Sequence, residues 1–390
     1  MHRRLAMLDD DLDRLAAWEP TGVPVLSLYL DTRPDDTGRR TFDIVLRNEL
    51  AKRLETWPAS SPERASLDAD VERLWRYLGE ELKPSTKGLA LFACSASGLF
   101  EALQFEVPLE RLIVLGDRPH LYPLARVLDQ YPRYAAVLAD TTQARIFVFS
   151  TGRRERELEV PGPHTKHHKV GGWSQARYQR HVEHIQLQHV KEIVATLDDL
   201  VRRERIGHIV LAGDEVVIPM IREQLPKHLE ERILDIVRMD QRTPAHEVLA
   251  ATLDVLRQKD AESDEEVVAM LLGEYRRGGL AVVGIDATLW ALRQGQVDTL
   301  VLPASADRIE GAKIRPAGDA VPAAGVGAGL SAVDTRAAAR RPTAETPPEL
   351  EAAGELVALA RQTSARLRFI ENADLLAPAG GVGALLRYAA

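Results

Sequence analysis

The stretch Gly171-Gly172-Trp173-Ser174-Gln175-Ala176-Arg177-Tyr178-Gln179-Arg180 sets a glycine pair directly ahead of a long basic amphipathic segment. Glycine reaches backbone angles closed to other residues. The pair therefore suits a backbone tip that enters a tight site while a helix behind it grips something anionic. Histidines gather around it: His164, His167 and His168 lie before the glycines and His181, His184 and His189 after them, six of the eleven in the chain. His181 and His184 stand at i and i+3 and, with the earlier three, offer nitrogen ligands of the kind zinc takes. The sequence carries no HExxH string and no neighbouring cysteine, so no metal and no other cofactor is expected. A plainer reading makes Gly171-Gly172 a hinge, with Ser174 capping the next helix and Trp173 packed on the domain surface.

The elements that must hold this stretch follow from periodicity. Residues 135–139 and 144–149 read as a hairpin turning at Asp140-Thr141-Thr142. A helix is expected over 175–205, with Tyr178, Val182, Ile185, Ile193, Leu197, Leu200 and Val201 on one stripe. Strand 208–212, helix 215–223 and strand 232–239 continue an α/β order, and a long polar helix over 244–277 leads out. Before this region, a helix at 9–18, a strand at 23–30, helices at 42–56 and 62–82, and strands at 88–94, 100–107 and 111–114 make an α+β unit. After it, strand 281–284, helix 286–294 and strand 298–302 begin a small α/β unit, completed by helix 351–363, strand 366–370 and the glycine-rich 380–388. Residues 304–350, rich in Ala, Gly, Pro and Arg with little periodicity, read as a flexible insertion. Three domains are expected, over 1–131, 132–267 and 268–390.

Composition sets outer bounds. The balance of 50 basic and 58 acidic residues gives −8, so any nucleic-acid contact must come from local patches. Cys94 is the only cysteine, which excludes intrachain disulfides and multi-cysteine zinc sites and favours a reducing compartment. Residues 1–19 carry Asp9, Asp10, Asp11 and Asp13 and no apolar core of signal-peptide length. No segment approaches the roughly 20 apolar residues of a membrane span. A cytoplasmic location with no membrane partner is expected.

Several segments in order resemble the archaeal and eukaryotic class-one peptide chain release factors and their relative Pelota, in the form found in bacterial release-factor-like proteins. LSLYLDT (26–32) and KGLALFAC (87–94) are similar to strands of that superfamily's N-terminal domain, and 134–149 to the opening hairpin of its middle domain. VGGWSQARYQR (170–180) resembles the GGQ loop followed by SxxRFxR. GGLAVVGIDATLWALRQGQVDTLVL (278–302) and GGVGALLRY (380–388) resemble the two ends of the C-terminal domain. The resemblance implies a three-domain, release-factor-like α/β fold with an α+β N-terminal domain and a small α/β C-terminal domain.

It also implies a function at the ribosome. In the release factors this loop enters the peptidyl-transferase centre of the large subunit and promotes hydrolysis of the peptidyl-tRNA ester, with much of the chemistry supplied by RNA. Gly171, Gly172, Trp173 and Gln175 then become the candidate catalytic positions. His167, His168, Lys169, Ser174, Arg177, Tyr178 and Arg180 become the candidate RNA contacts, Arg177 and Arg180 sharing a helix face. The implied partners are the ribosome, tRNA and a translational GTPase. Two departures matter: Trp173 stands where the family has glutamine, and no NIKS-like string lies between Phe42 and Leu82. Codon-specific termination is not expected. Two functions lead, codon-independent peptidyl-tRNA hydrolysis in ribosome rescue and a non-enzymatic hibernation or protection factor that occupies the A site; cleavage of tRNA by a related loop and an unrelated metal-dependent hydrolysis are the remaining alternatives.

Overall fold

The computed structural model describes residues 6–34, 42–162, 175–310 and 347–388. The chain divides into two compact units, one of Gln130–Asp264 and one joining Met1–Asp129 to Glu265–Ala390. The described part of the first segment contains α1 (Ala6–Ala16), β1 (Val25–Asp31), α2 (Phe42–Leu54), α3 (Pro62–Glu80), β2 (Gly88–Cys94), β3 (Leu99–Phe105), β4 (Leu112–Gly116) and α4 (Tyr122–Gln130). Its four strands form an antiparallel sheet in the order β3-β2-β1-β4. Phe42, Leu46, Leu50 and Leu54 recur every fourth residue along α2 and bury one stripe against Leu26, Leu28 and Leu30 of β1. At the start of α3 the Ser61 side chain accepts a bond from the Arg64 amide (3.1 Å), and Pro62 takes the first helical turn. Cys94 is fully buried in β2, a core position.

The middle unit runs β5 (Tyr134–Ala139), β6 (Gln143–Ser150), β7 (Arg153–Pro161), α5 (Gln175–Glu204), β8 (His208–Gly213), α6 (Val217–Gln224), α7 (Lys227–Glu230), β9 (Ile233–Arg238) and α8 (Ala245–Arg276), the division between units falling inside α8. Its five strands lie in the order β7-β6-β5-β8-β9, with β5, β8 and β9 parallel and β6 and β7 antiparallel. Alternate residues of β5 serve opposite layers. Ala135, Val137 and Ala139 pack with Val190, Ile193, Leu197, Leu200 and Val201 of α5. Tyr134, Ala136 and Leu138 pack with Val248 and Leu256 of α8, where the Tyr134 and Thr252 hydroxyls meet at 2.8 Å. A strand buried on both faces must be apolar throughout, as YAAVLA is.

The remaining elements are β10 (Ala281–Val283), α9 (Ile285–Arg293), β11 (Val297–Pro303), α10 (Pro348–Gln362), β12 (Arg366–Ile370) and β13 (Gly383–Leu386). They form a four-stranded sheet, β10-β13-β11-β12, in which only β11 and β12 run parallel. Of residues 304–350, positions 304–310 and 347–350 are described, and Ala304, Ala306 and Ile309 are buried; 311–346 lie outside the described residues. Within the first unit, widely separated segments are tied together. Tyr122 donates to the Pro303 carbonyl, the Phe369 amide donates to Asp129 (3.1 Å), and Arg361 of α10 pairs with Asp13 of α1 (2.7 Å). His120 is buried there, its backbone amide on the Ser27 hydroxyl (2.9 Å) and its ring against Gly354, where a Cβ would lie 2.7 Å from Nδ1. Burial pushes its pKa down to about 4.

The fold is therefore mixed α/β with three sheets. Most expected elements are present with bounds shifted by up to three residues; α4, α7 and β7 were not expected, and the glycine-rich ending holds a strand, β13, that was not expected.

Candidate functional site at the head of the long helix

Gly171, Gly172, Trp173 and Ser174, with His164, His167, His168 and Lys169, lie outside the described residues. The structure describes what holds both ends of that segment. β7 delivers the chain to Gly162, and α5 takes it up again at Gln175, the residue after Ser174. Gly162 passes so close to the β5–β6 turn that a Cβ there would sit 1.9 Å from the Thr142 carbonyl oxygen. That turn is itself fixed, because the Asp140 carboxylate accepts from the amides of Thr142 (2.7 Å) and Gln143 (2.8 Å).

α5 has two unlike halves. Val190, Ile193, Val194, Leu197, Leu200 and Val201 are buried in the sheet-facing core. Nearer its start, Arg180, Glu183, His184 and Gln188 are exposed, and Ile185 to Leu187 are only half-buried. The stretch from Gln175 to His189 spans about 21 Å at 1.5 Å per residue. Gln175, Arg177, Tyr178 and Arg180 occupy its first two turns, so the helix brings these four expected positions together immediately after the glycine segment. His184 faces Gln188 at 3.2 Å. No group of three or more His, Cys, Asp or Glu side chains is placed to hold a metal ion among the described residues.

Two features of this region show their surroundings only in the structure. The first is a charged tie between the two arms of the segment. Arg133 contacts Glu155 of β7 (3.2 Å) and the carboxylate of Glu204 at the end of α5, and Arg156 of β7 reaches Glu204 at 2.6 Å. Burial raises the Glu155 pKa, while Arg133 and Arg153 act against that rise. The second is His189, buried where the exposed half of α5 meets the core. Burial lowers its pKa, with Glu192, the Gln143 backbone and Asp140 opposing the shift. The sequence signalled each only in part: the Arg- and Glu-rich run over 153–157 for the tie, and the histidine cluster that includes His189 for the second.

The Gly213-Asp214-Glu215 acids are structurally committed. Asp214 accepts from the amides of Val216 (3.0 Å) and Val217 (2.8 Å) at the start of α6, and Glu215 pairs with Arg238 (2.6 Å). No helix among the described residues is long and apolar enough to cross a membrane.

Residues 119–257 match the model of bacterial archaeo-eukaryotic release factor family 10. The chain is 24% identical over 313 residues to peptide chain release factor subunit 1 of Archaeoglobus fulgidus, covering 75% of this chain and 74% of that protein. It is 25% identical over 388 residues to the uncharacterized protein Rv2629 of Mycobacterium tuberculosis, covering 94% of each. Among solved structures, Dom34 of S. cerevisiae, a translation termination-like factor, aligns with a TM-score of 0.43 at 9% identity, covering 77% of this chain and 80% of that one. The archaeal termination factor aRF1 aligns with a TM-score of 0.25 at 19% identity, covering 99% and 98%. The resemblance to the release factor and Pelota superfamily, in its bacterial branch, is borne out.

Proposed function

We propose that this chain is a ribosome-directed factor that uses its 163–174 segment, presented by α5, to promote codon-independent cleavage of peptidyl-tRNA in ribosome rescue. The observation that carries this reading is the match of residues 119–257 to a bacterial release-factor family, over the stretch that contains both arms of the glycine segment. The reaction is hydrolysis of an activated ester: water adds to the ester carbonyl and the tRNA 3′ oxygen leaves with a proton. Backbone groups at Gly171 and Gly172, followed by Trp173 and Gln175, position that water. Positioning alone removes several kcal/mol of barrier, up to about 7–11 in the best intramolecular cases. His167, His168, Lys169, Ser174, Arg177, Tyr178 and Arg180 meet RNA. The same proposal includes a cytoplasmic location, delivery by a translational GTPase and the three-domain division at 131/132 and 267/268.

Release of labelled peptide from stalled ribosomes by the purified protein is the test. Wild type releases peptide, and a Gly171→Ala, Gly172→Ala variant does not; equal inertness of the two across stalled and vacant complexes overturns the catalytic reading.

Trp173 favours a second reading. An indole in place of the family's glutamine has the bulk to fill the space a water needs and can stack on a base, an interaction worth about 1–3 kcal/mol. The factor then occupies the A site and protects the centre. In that case wild type co-sediments with ribosomes and releases nothing, and Trp173→Gln, which frees that space, gains release activity. Absence of salt-sensitive ribosome binding removes both readings.

A further inference from the structure

A second candidate RNA-contact region lies far from the glycine segment in sequence. The C-terminal half of α3 places Arg73, Arg76 and Tyr77 at i, i+3 and i+4, beside Phe100 and Gln104 of the edge strand β3, around a half-open groove of about 430 Å³. The Arg73 guanidinium carbon stands 4.0 Å from the centroid of the Phe100 ring, and Phe100 meets Tyr77 edge-on at 5.8 Å. A guanidinium stacked on an aromatic ring extends a flat surface on which a nucleobase can continue the stack.

The groove floor is built. Gln104 donates to the Tyr77 hydroxyl (2.6 Å) and the Glu81 carbonyl (3.0 Å), and accepts from the Thr86 hydroxyl (2.6 Å) and the Lys83 amide (3.1 Å). Its amide is fully engaged, so it fixes both the tyrosine and the turn that carries Lys83. Among the described residues no salt bridge within 4.0 Å engages Arg73 or Lys83, although the Arg73 charge acts on the Asp70 carboxylate one turn earlier, and Arg76 meets Glu72 at 3.0 Å with both side chains largely exposed. An exposed pair of that kind holds an arginine weakly. Three cations face one lining carboxylate, Glu81, a local excess of positive charge in a chain whose formal balance is −8.

We infer that this groove binds a short single-stranded RNA segment, one base continuing the Arg73–Phe100 stack and neighbouring phosphates meeting Arg76 and Lys83. The half-open shape suits a strand that passes through. The inference rests on the ribosome-directed reading only for the source of that RNA.

The test uses the full-length protein with a fluorescein-labelled hexaribonucleotide carrying 4-thiouridine, at 50 mM salt, read by anisotropy and by mapping of photo-cross-links. Cross-links to peptides containing Tyr77 or Phe100 are expected. The Arg73→Gln, Arg76→Gln, Lys83→Gln variant should lose affinity by about 100-fold and flatten the dependence of log K on log salt by roughly 2. These side chains are exposed, so its melting temperature should match wild type. An Arg177→Gln, Arg180→Gln variant should keep the Tyr77 and Phe100 cross-links. Unchanged binding in the triple variant, or cross-links that avoid both aromatics, overturns the proposal. So does equally tight, groove-dependent binding of a nucleoside triphosphate or of polyglutamate, which would make the site a nucleotide pocket or a general polyanion patch. Ribosome co-sedimentation is measured separately: its loss with cross-links retained removes the ribosome reading and leaves the groove.

Discussion

The two halves of α5 have the same secondary structure and opposite surroundings. The second half is held by the middle-unit core through Val190, Ile193, Leu197, Leu200 and Val201, and its last residue, Glu204, is gripped by two arginines. The first half has Arg180, Glu183, His184 and Gln188 in solvent. A helix end whose described apolar side chains are only half-buried contributes less to stability than one packed in a core. Its composition is therefore free to be set by what it meets, while the far half fixes where it is held. Stability and function should separate along this one helix, and substitutions can test that.

The largest effect is expected in the buried half. Leu197→Ala should lower unfolding free energy by about 3 kcal/mol in denaturant titrations, through lost burial and the cavity left behind. Ribosome binding per folded molecule should be unchanged. Glu204→Ala should cost less, about 1–2 kcal/mol after allowing for the partial exposure of Arg133 and Arg156. The loss should shrink when Arg156 is already Ala, a coupling that a double-mutant cycle measures directly.

The junction of the halves gives a smaller, pH-dependent effect. The folded-state pKa of His189 is lowered, so the folded protein holds this ring neutral while the unfolded chain protonates it near the ordinary value of about 6.5. Above that pH both states are neutral and the group contributes no slope. On acidification the unfolded chain takes up the proton first, and stability falls until the folded pKa is reached. Denaturation midpoints between pH 7.5 and 5 should decline less in His189→Gln than in wild type.

The smallest stability effect belongs to the exposed half. Arg180→Gln should stay within about 0.5 kcal/mol of wild type and yet weaken salt-sensitive ribosome co-sedimentation. A stability loss comparable to that of Leu197→Ala would break the comparison.

Much of this helix was legible beforehand. Its apolar stripe predicted a helix over 175–205, and the structure has Gln175–Glu204. β2 and β12 were legible to the residue, β2 as a continuous apolar run between Gly88 and Ser95, β12 as the alternating run RLRFI that stops at Glu371. β7 was hidden by its own chemistry: RRERELEVP is an edge strand with charge on both faces, so the period-two signal of a half-buried strand is absent. Its pairing is evident only beside β6. The candidate site divides the same way. Arg177 and Arg180 follow from helix spacing, whereas the Arg133–Glu155–Glu204 tie links residues as many as 71 apart. In the α3–β3 groove, Arg73, Arg76 and Tyr77 were already neighbours on a helix, but Phe100 and Gln104 join them only once β3 lies alongside.

The contacts that bind Tyr122 to Pro303 and Asp129 to Phe369 place an order on biosynthesis. The middle unit is an insertion, complete in sequence once Asp264 has been made, while the segment ahead of it waits for Pro303, Arg361 and Phe369, which follow that unit. At about 5–20 residues per second of elongation, that wait is on the order of ten seconds or more. During it α1 lacks the face of α10, and Tyr122 lacks the Pro303 carbonyl that its hydroxyl will meet. The unit carrying the glycine segment is thus free to fold first, and the unit assembled from the segments on either side of it can close only after Pro303, Arg361 and Phe369 have been made.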